Sequence, residues 1–154
     1  VDFVIVGGMD ADVERLRAQA QGLGNVRLLG FQAPGQVPLY LAAADMGVVP
    51  NRSQPAISSR YTSPLKIFEA MAAGLPLVVS DLPSMRDIVN GDEVCFVAPD
   101  DPSALAQGIR RVFADTNLRQ ELGRRLSQRA PQHTFDARAS RLLSWMRSRL
   151  PNTP

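Results

Sequence analysis

The stretch Tyr61-Thr-Ser-Pro-Leu-Lys-Ile-Phe-Glu-Ala-Met-Ala-Ala-Gly-Leu-Pro-Leu-Val-Val-Ser-Asp81 changes character at its middle. Lys66 to Ala73 reads as a helix, and Gly74 follows where helices turn left-handed and stop. Pro76 to Ser80 is then a short apolar run that reads as a strand. A polar loop enters the helix near Ser63 and Pro64. The first N–H groups of a helix lack intrahelical partners, so an anion such as a diphosphate suits this turn. Lys66 falls in the first turn, where a cation opposes the helix dipole. Neutralising phosphate or sugar charge would give it a reason to be there. Glu69 follows about one turn on, between Phe68 and Ala70, where a carboxylate could accept both hydroxyls of a ribose. The same spacing also fits an ordinary amphipathic helix start with solvated Lys and Glu, and spacing alone tilts toward that plainer reading.

The same alternation extends outward. Residues 2–6 form an apolar, β-rich run ended by Gly7-Gly8, followed by a helical pattern with Val13, Leu16 and Ala20 on one face. Val26 to Leu29 is a second strand, ended by Gly30. Val37 to Ala43 reads as a short helix, and Asp45 to Val49 as a strand stopped by Pro50. Residues 51–63 read as a loop, 84–90 as a short helix and 94–97 as a fifth strand. Asp101-Pro102-Ser103 starts helical sequence that continues, with breaks, to Leu150. Five apolar strands alternating with helices predict a Rossmann-like α/β fold, a parallel sheet buried on both faces. Ligands of such sheets bind beyond the carboxyl ends of the strands. The loops at 7–12, 30–36, 50–65 and 80–84 lie there.

Composition narrows the partners. The 154 residues are 45% hydrophobic and 21% charged, as expected of one globular domain. A net charge of +2 is too weak to point to nucleic acid. The C-terminal arginines, from Arg124 to Arg149, read as solvated helix faces. Cys95 has no second cysteine to pair with and reads as a buried thiol. No run approaches a membrane span of about 18 residues and no signal peptide is evident, so a cytoplasmic location is expected. The chain opens at Val1 directly into a strand, which reads as a piece of a longer protein. Asp10 and Asp12 sit at a helix start, where capping is favoured over metal binding. Asp100-Asp101 likewise reads as a turn and a cap. His133 and Cys95 cannot build a metal cluster, and His133 is expected in a loop or cap. Leu142, Leu143, Met146 and Leu150, with Trp145 alongside, read first as core packing.

The Tyr61–Asp81 segment resembles the signature region of the family 4 (group 1) glycosyltransferases, in its Tyr-x-Ser-Pro-x-Lys-x-x-Glu variant followed by Ala-Met-Ala-x-Gly-x-Pro. Val4 to Gly8, Val26 to Phe31, Tyr40 to Asp45, Val89-Asn90-Gly91 and Pro99 to Asp101 match further family elements in order. The resemblance covers nearly the whole chain. It implies the C-terminal half of a two-domain GT-B fold, with residues 1–154 as one Rossmann-like donor-binding domain. It implies that Glu69 binds the ribose hydroxyls of a nucleotide-sugar donor such as a UDP- or GDP-sugar, with Lys66 beside it in the catalytic set. Tyr61, Ser63, Pro64 and Leu65 would border the diphosphate or sugar, Gly30 and Phe31 the base, and Gly7 and Gly8 would allow close backbone approach. No cofactor and no metal are implied. The first carboxylate of the usual motif falls at Tyr61, so contacts to the sugar must differ. The family's first C-domain strand, its Arg/Lys clamp and the acceptor-binding N-terminal domain would precede Val1. The resemblance thus implies a retaining glycosyltransferase piece that is inactive alone, with membrane association only through the missing part. The last helix of such folds crosses to the N-terminal domain, which would leave the Leu142 stripe as an orphaned interface. The alternative is a non-catalytic nucleotide-binding or flavodoxin-like regulatory domain, which explains the strands but not the Tyr61–Glu69 motif.

Overall fold

The computed structural model describes residues 1–61 and 64–150, without the side chains of residues 57 and 58. Ser63 therefore lies outside the described residues. The chain forms two compact units, one spanning Val1–Tyr40 and the other beginning at Leu41.

The first unit contains β1 (Phe3–Val6), α1 (Asp10–Gln19) and β2 (Val26–Gly30). A short 3-10 turn at Pro34–Gln36 then leads into α2 (Val37–Ala43). β1 and β2 pair in parallel, with Phe3 opposite Val26 and Val6 opposite Gly30. α1 packs against β2, and Val13 is its buried residue. Two expectations fail here. β1 is not buried on both faces: Phe3, Val4 and Ile5 are all exposed. Among the described residues its one ladder partner is β2. Nor do Asp10 and Asp12 cap α1. Met9 takes the N-cap position without a side-chain bond, and Asp12 instead accepts from Arg15 at 2.9 Å. Both carboxylates still lie in the first turn, where the dipole favours them.

The second unit contains β3 (Gly47–Val49), α3 (Ala56–Arg60), α4 (Leu65–Ala73), β4 (Leu77–Ser80), α5 (Pro83–Arg86) and β5 (Cys95–Val97). Three helices follow: α6 (Pro102–Ala114), α7 (Thr116–Arg129) and, after a 3-10 turn at Ala130–His133, α8 (Phe135–Arg149). The strands are parallel in the order β3–β4–β5. Successive side chains of a strand face opposite ways, and β4 shows it. Leu77 and Val79 join one core cluster with Ile67, Met71 and Leu126, while Val78 joins another with Val97, Ile109 and Val112. The sheet is thus covered on both faces, as parallel strands require.

Local chemistry sets the helix limits. Gly74 adopts the left-handed conformation with φ 62. The Leu75 N–H reaches back to the Ala70 carbonyl at 2.9 Å, closing α4. This turn lies against α7 at Gly123, where any side chain would collide with the Gly74 carbonyl. Asp101 caps α6 through Ser103 and Ala104 N–H, Asp115 caps α7 and Thr134 caps α8. Four outcomes differ from the sequence expectations. Residues 51–63 are not all loop, because Ala56–Arg60 close one helical turn after Pro55. The helix expected over 84–90 is shorter, Pro83–Arg86. The Leu142 stripe is not core: α8 packs on the 3-10 turn before it and buries none of its residues. Cys95 is only half-buried, although burial pushes its thiol pKa up. Among the described residues, no helix is long and apolar enough to cross a membrane.

Candidate functional site

In the first unit, Gly7 and Gly8 follow β1 with φ of 107 and 102, and Gly30 ends β2 with φ 67. These values suit glycine and strain other residues. The Gly7 N–H donates to the Gly30 carbonyl at 2.7 Å, so the two strand ends are tied together. A methyl group on Gly8 would come within 3.2 Å of the Val13 side chain. Phe31, beside Gly30, is 76% exposed. The structure therefore gathers Gly7, Gly8, Gly30 and Phe31 at the carboxyl ends of one strand pair.

In the second unit, α4 carries the other predicted residues. Ile67, Ala70 and Met71 are buried and fasten the helix to the sheet. Positions three apart share a helix surface, so Lys66 and Glu69 come out together on the exposed side. Pro64 holds the N-cap position and offers no side-chain cap. The Ile67 N–H bonds the Pro64 carbonyl at 3.1 Å, which tightens the first turn. Tyr61 and Leu65 are also exposed, at 77% and 69%. The segment thus presents an aromatic ring, a helix start, a cation and a carboxylate in succession. Phe68 lies between them, half-buried against the core and 5.2 Å from the His133 ring. His133 is not a cap. It ends the 3-10 turn, accepts from Arg129 Nε at 3.4 Å and buttresses α4 from behind. Burial first, then the charges of Arg129 and Arg141, lowers its pKa. A lone histidine ahead of a Thr cap gave no hint of that contact.

The loops beyond β3, β4 and β5 complete the carboxyl edge of this unit. After β4, Asp81 holds Arg86 by two bonds of 2.5 and 2.7 Å, and the guanidinium lies 4.6 Å over the Phe96 ring. The Arg86 hydrogen bond keeps the Asp81 carboxyl below its ordinary pKa. Pro50, Arg52, Ser80, Val97, Asp100 and Leu105 line a cavity of about 300 Å³. Asp100, expected with Asp101 to form a turn and a cap, instead accepts from Arg52 and from Ser53 in the loop after β3. Among the described residues, no group of three His, Cys, Asp or Glu side chains could hold a metal ion.

A family model for glycosyl transferases of group 1 matches residues 1–115. The phosphatidyl-myo-inositol mannosyltransferase of Mycobacterium leprae (strain TN) is 33% identical over 122 residues, covering 78% of this chain and 30% of that protein. The chain spans about a third of the length of the curated relatives it matches. Sucrose-phosphate synthase from Thermosynechococcus elongatus shares the fold with a TM-score of 0.80 and 28% identity, over 94% of this chain and 37% of that one. HepE from Anabaena, solved with UDP, gives a TM-score of 0.77 at 23% identity, over 97% of this chain and 41% of that one.

Proposed function

We propose a function from the family, since this chain belongs to the glycosyl transferases of group 1: it holds the nucleotide and diphosphate of a nucleotide-sugar donor. The observation that carries the reading is the exposed side of α4. There Lys66 and Glu69 share a surface next to an uncapped helix start, on a helix anchored by Ile67, Ala70 and Met71. Helix N–H groups and Lys66 suit the diphosphate, and the Glu69 carboxylate suits two vicinal ribose hydroxyls. In the first unit, Gly7, Gly8 and Gly30 carry no side chains to cover the strand ends, and exposed Phe31 offers a ring on which a base can stack. The fold is the one that carries UDP in HepE.

The transfer itself belongs to a longer protein. An acceptor-binding domain would complete the cleft, and a further strand would pair with the open edge of β1. The relatives' greater length supports both. In that assembly the sugar passes to an acceptor hydroxyl with retention of configuration. The chain's part is to orient the donor and stabilise the leaving diphosphate. Calorimetry with UDP and GDP tests the binding half. Binding to the 154-residue chain is expected, and Glu69→Ala should weaken it roughly tenfold or more, because a charge-assisted bond to ribose is lost. Absence of binding at millimolar nucleotide, or a Glu69→Ala variant that binds like the wild type, would sink the proposal.

A further inference from the structure

Asp100 stands in a backbone conformation that suits glycine. Its φ of 57 lies in the left-handed region, where a Cβ crowds the following carbonyl. The side chain supplies the reason. Its carboxylate accepts from the Ser53 N–H at 3.0 Å, from the Ser53 hydroxyl and from Arg52 Nε at 3.3 Å. These donors lie 47 and 48 positions away in sequence, in the loop that follows β3. The neighbouring carboxylate behaves differently: Asp101 turns back on its own helix and caps α6. Left-handed placement of Asp100 is what directs it away from that helix and across to the other loop. Along the sequence, the loop it holds is followed by α3 and Tyr61.

We infer that Asp100 is a positioning residue, a latch that ties the 50–55 loop to the turn between β5 and α6 and so fixes the approach to the donor-binding segment. The inference rests on the nucleotide-binding reading above. Without the latch, the Ser53 N–H turns to water and the loop samples more conformations, which must be frozen again when ligand binds.

Asp100→Gly separates this role from mere folding. Glycine relieves the left-handed backbone but makes no latch. Thermal stability should therefore stay close to that of the wild type. Affinity for UDP or GDP should fall roughly tenfold, about what one lost ordering interaction is worth. The Ser53 amide should exchange with solvent on the order of ten times faster. Ser53→Ala keeps the backbone bond and should show a smaller loss, roughly threefold. Unchanged affinity in Asp100→Gly would overturn the inference. So would an affinity that falls only in step with a falling Tm. If the wild type binds neither nucleotide, the donor reading fails and amide exchange decides alone. Faster exchange at Ser53 in the variant supports the latch, and unaltered protection overturns it.

Discussion

β1 and β4 are both four residues long, apolar and parallel, yet one lies open and the other is sealed. Val4 in β1 is 51% exposed, whereas Val79 in β4 is at 0%. Their compositions do not separate them. Their neighbours do. β4 has a ladder partner on each side and core clusters on each face, while β1, among the described residues, pairs with β2 alone. Residue pattern selects a strand; what packs on the strand decides whether it contributes to stability.

The sharpest way to break the sealed region is Gly123→Ala. The added methyl meets the Gly74 carbonyl, a backbone atom that cannot swing aside, so α7 must lift from the end of α4. A loss of about 3 kcal/mol is expected, since overpacking outweighs alanine's helix preference. A wild-type denaturation midpoint would show that the contact yields. One matched pair tests the comparison itself. Val79→Ala should cost about 2 kcal/mol, and Val4→Ala less than about 0.5 kcal/mol, with the same atoms removed each time. Amide exchange resolves the two strands separately, and equal effects would refute the role given to neighbours. The smallest effect concerns an exposed ion-pair cluster on α7. Hydrogen bonds from Arg124 and then Arg125 hold the Glu121 carboxyl at about 2, against an ordinary 4.5. A carboxyl depressed on folding stabilises fully above its unfolded pKa, and that share fades as pH falls from about 4.5 toward 2. Unfolding at pH 5 and pH 3 should therefore differ less in Glu121→Gln than in the wild type, with a small difference because the group is solvated.

Much of this architecture was legible in the residues. Each strand appears within two positions of its expected limits, because glycine and proline bracket the apolar runs. Gly74 and Asp101 end and start their helices as expected, since those roles depend on local backbone chemistry. What escaped the reading depends on distant partners. Asp100 looked like any turn residue, because its donors come from another loop. His133 looked like punctuation, because Phe68 is far away in sequence. The α8 stripe, spaced like a core face, is exposed, since periodicity shows a face but not what covers it. The candidate residues of the two units divide in the same way. Lys66 and Glu69 come to one exposed surface as helical spacing demands, while the pairing of Gly7 with Gly30 follows only from the register of β1 and β2.

The anchoring of α4 has a consequence for how such a domain can change. Ile67, Ala70 and Met71 carry its attachment, and neither Lys66 nor Glu69 belongs to the core. The helix is a mount whose outward fittings can be exchanged without loosening its bolts. On the donor-binding proposal above, replacing positions 66 and 69 together would change what this surface can hold and leave folding almost untouched. A scaffold arranged this way separates the residues that hold its shape from those its surface presents.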